Sequence, residues 1–413
     1  MSLVMQQGDS EKEPSKKEKE SAFIMRKQTK LVAVLSASAL LAIGASVTSF
    51  AASGRWAEEN GTWVFYDKSG DKVTEEWQKS GEYWYWLNED GEMATDQLIE
   101  DDDNYYYVNE NGVMVQNGWR SVENEDYDGD DEDEPMNYWY YFGANGKAYK
   151  SSTSSNNASF KTINGKKYVF DGYGKMQTGL RAIKLETGSS TKIADDGVKD
   201  DDDLASLNMN FDTEDAFKEN VSRLYDEGWR LYYMGGSNDG AVKTGKQTIT
   251  IDGDSFTFLF NKSGSSKGQG KFGIDDDKYY AGGMLMAADR DDKYAVVKVV
   301  TNETTGRYEE IRLLTTEEFL DDDHVKSLPS GGIPSGKEDD YDEYIDFTDM
   351  TENGKKVTVD YEETVDGQKK KTIYRVVNTA GTVQKSKSKA KDGDDRCYKI
   401  NGSKQIEAVF VED

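Results

Sequence analysis

Three groups of residues in this 413-residue chain have the types and spacing to do chemistry: clustered carboxylates, one histidine with one cysteine, and aromatic rings that recur at intervals. Carboxylate runs suit a hard cation, and the densest is DYDGDDEDE, from Asp126 to Glu134. A calcium loop started at Asp126 would need glycine at its sixth position and glutamate at its twelfth, where Asn137 stands, so the run reads as a solvated insertion. No metal site is expected. The only histidine, His324, follows Asp321-Asp322-Asp323, and with the only cysteine, Cys397, it supplies too few ligands for a His-rich or Cys-rich zinc site. Any nucleophilic triad would hang on that one surface histidine. The glycine-rich stretch from Gly264 to Gly273 does not follow a strand and open a helix, so it does not read as a phosphate cradle. Carboxylates could serve a glycosidase as a pair, but no compact segment of catalytic size is left once the repeats below are removed. The chain is therefore expected to have no enzymatic activity and no cofactor.

The rings remain, with 25 Tyr, 15 Phe and 8 Trp in a chain that is only 36% hydrophobic. They recur with a period of about 21 residues. The clearest copy is WQKSGEYWYWLNEDGEMATDQL, from Trp77 to Leu98, preceded by WAEENGTWVFYDKSGDKVTEE from Trp56 to Glu76. LIEDDDNYYYVNENGVMVQNG follows from Leu98 to Gly118, then a copy from Trp119 interrupted by the acidic run, then FKTINGKKYVFDGYGKMQTG from Phe160 to Gly179. Looser copies start at Gly228 and Ile251, and a faint one is IYRVVNTAGTV from Ile373 to Val383. Each copy carries a turn glycine such as Gly61 or Gly81, an aromatic strand, a turn of Asn or Asp then Gly, and a short second strand. That order predicts a β-hairpin. Because one hairpin is marginal in water, each must lie against the next, with ring rows as the seam. Met93, Met114 and Met176 each fall two residues after a turn glycine and are expected to face one side.

The flanks follow other rules. MRKQTK from Met25, the apolar run from Leu31 to Val47 and the small residues ending at Ala52 have the order of a secretory signal peptide. The polar residues 1–24 read as an upstream extension outside the mature protein. Between the fifth and sixth copies, DTEDAFKENVSRLYDEG places Phe217, Val221, Leu224 and Tyr225 on one helical face, with Asp212 as its start and Gly228 as its end. A shorter helix is expected where Thr315 and Glu318 have capping-box spacing. After residue 52 the chain carries 74 acidic against 44 basic side chains, a net of −30, which repels nucleic acid and anionic membrane. One cysteine excludes an internal disulfide.

The order Trp, Gly, Trp-Tyr-Tyr-Leu-Asn, Gly, Met, Thr-Gly in copies of about 20 residues resembles the cell-wall-binding repeat family. That group includes the choline-binding modules of Gram-positive surface proteins and related glucan-binding and clostridial-toxin repeats. The resemblance covers Gly54 to Gly264 well and the remainder weakly. It implies a hairpin solenoid that holds choline or wall sugars between consecutive hairpins, in aromatic cages often closed by methionine. Carried onto this chain, one set is Trp63, Trp77 and Tyr85, and a second is Tyr105, Trp119 and Tyr140 with Met114. A quaternary ammonium is attracted to the faces of such rings. Leu98, Phe160 and Leu180 stand where the pattern has tryptophan.

Together these readings give a mainly β chain: an elongated β-hairpin repeat solenoid with one or two inserted short helices and a divergent β-rich C-terminal region. The expected division is 1–24 extension, 25–52 signal peptide, 53–180 aromatic repeats, 181–228 acidic insertion with a helix, 229–270 further repeats, and 271–413 divergent region. The expected role is that of a secreted, wall-associated protein holding teichoic acid choline or wall glycan, with no nucleic acid and, after signal cleavage, no membrane as partner. A carbohydrate-binding adhesin or structural spacer is the alternative; a wall hydrolase ranks below both. Oligomeric state is left open by the sequence.

Overall fold

The computed structural model describes residues 54–127, 135–150, 160–186, 214–251, 253–328, 332–348, 351–352, 355–356 and 358–413. The expected extension, the signal peptide, most of the acidic run and the helix cap Asp212 lie outside them. The chain divides into two units, Met1–Arg120 with Tyr141–Ala148, and Ser121–Tyr140 with Tyr149–Asp413.

The first unit is a row of two-stranded antiparallel hairpins: β1 (Arg55–Glu59) with β2 (Thr62–Tyr66), β3 (Glu76–Ser80) with β4 (Tyr83–Leu87), and β5 (Gln97–Asp101) with β6 (Asn104–Val108). A fourth, β7 (Gly118–Glu123) with β8 (Asn137–Phe142), is cut by the unit division, its open end in the first unit and its closed end in the second. Two-residue tips close the first three, and the left-handed backbone they need selects their residues. Asn60-Gly61 has φ of 52° and 87°. Asp102-Asp103 does the same work at 48° and 61°, so this aspartate run forms the tip of a hairpin. Each of the first three hairpins is followed by a second turn in which one side chain replaces a turn of backbone: Asp67 Oδ1 accepts from the Ser69 and Asp71 amides, Asn88 Oδ1 from Asp90 and Glu92, and Asn109 Oδ1 from Asn111 and Val113.

The second unit opens with the pair β9 (Lys161–Ile163) and β10 (Lys166–Tyr168), followed by β11 (Leu180–Lys184), helix α1 (Glu214–Asp226) and β12 (Trp229–Tyr233), which pairs with β11. Next come β13 (Gly245–Ile251), β14 (Asp254–Phe260), β15 (Gly273–Asp275), β16 (Lys278–Ala281) and β17 (Met284–Leu285). They form one sheet in the order β13-β14-β17-β16-β15, which runs across the expected boundary at residue 270. The remaining elements are β18 (Tyr294–Asn302), β19 (Arg307–Leu314), α2 (Thr316–Asp321), α3 (Asp323–Ser327), β20 (Tyr341–Asp346), β21 (Thr351–Glu352), β22 (Lys355–Lys356), β23 (Tyr361–Val365), β24 (Gln368–Asn378), β25 (Lys387–Lys391), β26 (Arg396–Ile400) and β27 (Ile406–Glu412). Two four-stranded sheets result, β19-β18-β24-β23 and β20-β27-β26-β25.

Strand β18 explains why the period is lost here. Its Ala295, Val297 and Val299 enter one core with Phe217, Phe258 and Met284, while Val296 enters another with Phe319, Tyr374 and Tyr398. A strand buried on both faces needs an unbroken apolar run, so alternation disappears from the sequence. Helix α1 buries Phe217 and Val221 in the first of these cores, Leu224 is buried as well, and Gly228 ends the helix at φ 97°. At α2 the capping box is complete: Thr315 Oγ1 accepts from the Glu318 amide and the Glu318 carboxylate accepts from the Thr315 amide.

His324 lies on α3, its ring stacked on Tyr361 at 3.7 Å and its Nε2 buried without a hydrogen-bond partner among the described residues. Burial holds its pKa below the ordinary 6.5, with the Asp322 carboxylate opposing. A depressed value in the folded state means that the neutral ring is favoured by folding; the stability it contributes is present above the unfolded pKa and is lost as pH falls. Since this is the only histidine, the expected outcome is a thermal midpoint that drops between about pH 8 and about pH 5, with the slope flattened in His324→Phe. Scanning calorimetry of both chains checks it, and parallel slopes would refute the assignment.

Candidate functional site

Register decides which rings can meet. With a two-residue tip, positions count outward in pairs, so Trp77 faces Trp86 and Lys79 faces Trp84 across β3 and β4. These four side chains share one face of the hairpin; Gln78 faces Tyr85 on the other. In the first hairpin the same count puts Trp56, Glu58, Trp63 and Phe65 on one face.

The face of each hairpin meets the reverse of the next. Trp56 packs edge-on against Phe65 of its own hairpin at 5.3 Å and against Tyr85 of the following one at 5.4 Å. Trp77 repeats this, with Trp86 at 5.3 Å and Tyr106 at 5.0 Å. Backbone bonds stitch the same places. The Met93 amide donates to the Trp63 carbonyl at 2.7 Å, Met114 to Trp84 at 2.8 Å, and Ala148 to Tyr105 at 2.7 Å.

Two ring junctions follow, one built from Trp56, Trp63 and Tyr85, the other from Trp77, Trp84 and Tyr106. At the second, Met114 packs in the same apolar cluster as Trp77 and Tyr106, while Trp84 stays 37% exposed. The Trp77 indole N–H donates to Asp101 Oδ2 at 3.1 Å, fixing the ring and bringing a carboxylate to its rim. Burial raises the Tyr106 hydroxyl, and the Asp101 and Asp102 charges add to that, so the ring stays neutral. At the first junction Ser80 occupies the position of Asp101, and the Trp56 Nε1 is buried with no partner among the described residues. Neutral rings rimmed by carboxylates are chemically suited to a soft organic cation.

Against the expected sets, the structure brings Trp63 and Tyr85 to the first junction with Trp56, and places Trp77 on the opposite face of its hairpin from Tyr85, at the second junction. Met114 joins Trp77 there. Tyr105 faces Glu100 on the third hairpin, half-buried. Trp119 packs against Tyr141 at 5.1 Å, and Tyr140 belongs to the second unit, buried at 3%. The residues missed from sequence are Trp56, Trp84 and Tyr106. Counting outward from Asn60-Gly61, Gly81 and Asp102-Asp103 would have found them, because the tip fixes which rings share a face.

Residues 73–119, which contain the whole second junction, match the family described as choline-binding repeat. The chain is 30% identical to the choline-binding domain of Spr1274 from Streptococcus pneumoniae over 92% of that domain and 23% of this chain, with a TM-score of 0.17. This chain belongs to the choline-binding repeat family. Similar solved structures include CbpJ from Streptococcus pneumoniae TIGR4, at 15% identity over 86% of this chain and 99% of that one (TM-score 0.31). Another is the modular autolysin LytC of Streptococcus pneumoniae, at 19% identity over 61% of this chain, which spans only 42% of that one (TM-score 0.29). No curated protein matches the chain.

The choline-binding repeats also share a packing rule. Each methionine whose amide bonds backwards lays its side chain under a later turn glycine, so a Cβ on Gly112 (φ 74°) would stand 2.8 Å from Met93 Cε. Gly61 has an equally left-handed φ, 87°, but open space around it. Gly61→Ala should therefore cost only the left-handed backbone, about 1–2 kcal/mol. Gly112→Ala should add an overpacking cost of about 1–3 kcal/mol. Urea denaturation of the two variants measures the difference, and Met93→Ala should relieve it in the Gly112→Ala chain alone.

Proposed function

We propose that this protein is a secreted surface protein that holds choline-substituted wall teichoic acid non-covalently, using the ring junctions between successive hairpins as ammonium sites, and that it has no enzymatic activity of its own. The observation that carries the proposal is the second junction. Trp77 and Trp84 share one hairpin face, Tyr106 packs on Trp77, and the Asp101 carboxylate sits at the rim, all within the matched repeat. Trimethylammonium groups are weakly hydrated and lose little on leaving water, whereas several neutral rings with an adjacent carboxylate return that loss at short range. Within the first unit the hairpins stack as a solenoid in this reading, supported by the recurring amide-to-carbonyl bond from Met93, Met114 and Ala148 to the hairpin before.

The non-enzymatic part rests on where the reactive side chains lie. Cys397 is fully buried, its thiol pushed up by burial, and His324 is packed under Tyr361. Neither is placed to attack a polymer.

The full chain is expected to bind a choline-substituted resin and to be released by free choline. Calorimetric titration with choline should weaken by about 2- to 30-fold in each of Trp77→Ala and Trp84→Ala, corresponding to about 0.5–2 kcal/mol per ring. Retention on insoluble glucan with no response to choline would overturn this in favour of a glycan ligand. Release of soluble fragments from purified walls would overturn the non-enzymatic part.

A further inference from the structure

The two ring junctions are not equivalent: besides Asp101 at the rim of the second where the first has Ser80, they differ in the side chain that stands across from the second-strand tryptophan. Lys79 stands directly across from Trp84 in the β3–β4 register, and its Nζ lies over the Trp84 ring, 5.7 Å from the centroid. The same position in the first hairpin, across from Trp63, is held by Glu58. A cation over a ring is thus already present at the second junction, where at the first a carboxylate stands beside the rings.

We propose that Lys79 is a resident cation of the second junction, competing with an incoming quaternary ammonium for the face of Trp84 and so setting that junction's affinity below that of the first. The inference rests on the choline reading above. Cross-strand placement makes such a pair geometrically dependable: Arg55 lies over Tyr66 at 5.1 Å and Lys184 over Trp229 at 5.9 Å, each across its own antiparallel strand pair. Of these three pairs only Lys79 with Trp84 sits in the matched repeat, at a junction that also presents Trp77 and Tyr106. Trp84 is partly open to solvent and Lys79 is exposed, so the ammonium can swing off the ring when a ligand arrives. The ring's negative face can serve one cation at a time. An ammonium there costs the ligand what the lysine contact contributes, and the positive charge repels a second cation besides.

The test uses the full chain with the first junction disabled by Trp63→Ala, titrated with choline and with tetramethylammonium. Lys79→Met should tighten binding about 2- to 5-fold, the equivalent of an exposed cation–ring contact. Lys68→Met, which removes the same charge from an exposed turn without touching a ring, should leave it unchanged. In a Trp84→Ala chain, Lys79→Met should also have no effect. In the converse experiment, Glu58→Lys in an otherwise native chain should weaken the tighter site. Equal binding with and without Lys79, or an equal gain from Lys68→Met, overturns the inference and leaves the choline reading standing. Absence of ammonium binding in every chain overturns both.

Discussion

A hairpin of two five-residue strands is marginal alone in water, and what makes it persist here is one ring laid against a ring of the next hairpin. Trp56 on Tyr85 and Trp77 on Tyr106 are the two clear instances, each with its ring centroids about 5 Å apart. Beside each ring contact runs one backbone bond, from Met93 to Trp63 and from Met114 to Trp84. The pair of contacts is coupled: if a hairpin slipped by one residue, its tryptophan would turn to the other face and the backbone bond would lose its partner. The tips therefore matter more than their size suggests. Asn60-Gly61 and Asp102-Asp103 set the count from which every ring position follows.

The same turn chemistry reaches well past the regular repeats. Asn378 Oδ1 accepts from Ala380 and Thr382, and Asn401 Oδ1 from Ser403 and Gln405, as Asn88 and Asn109 do in the first unit. In the second unit the hairpins keep the turn but exchange the seam. Rings and aliphatic side chains from α1, β14, β18 and β24 pool into two continuous cores, and most strands from β13 onward join sheets of four and five instead of standing in pairs. Once a strand has neighbours on both edges it no longer needs a ring row to hold it. The aromatic period fades in the sequence for that reason.

Much of this was legible in the residues. The hairpins, the Asn-to-Gly turns, the common offset of Met93, Met114 and Met176, the helix carrying Phe217, Val221 and Leu224 and the Thr315–Glu318 cap all depend on neighbours close in sequence. What depends on pairing across distance was not. The ring sets drawn from sequence combined Trp63, Trp77 and Tyr85, which the register divides between two junctions. Nothing local marks that β14 pairs with β17 across residue 270 at Phe258 and Met284, or that alternate residues of β18 serve different cores. Asp102-Asp103 carries no glycine or asparagine to mark it as a tip, yet aspartate tolerates left-handed backbone nearly as asparagine does.

Charge sets the final constraint on any partner. A chain with a net charge of −28 is repelled at long range by a phosphate-bearing wall polymer, and that repulsion is screened over about 8 Å at physiological salt. The attraction of a ring face for an ammonium group acts within contact distance and is far less sensitive to salt, since the rings carry no net charge. Approach and retention are thereby governed by different terms. On the choline reading proposed above, a polymer lacking ammonium groups would meet only the repulsive one, while a polymer carrying several would engage several junctions at once, each engagement raising the local concentration of the next. Selectivity would then come from the acidic surface as much as from the rings, because the surface disfavours every polyanion and the rings would compensate only those that present a cation.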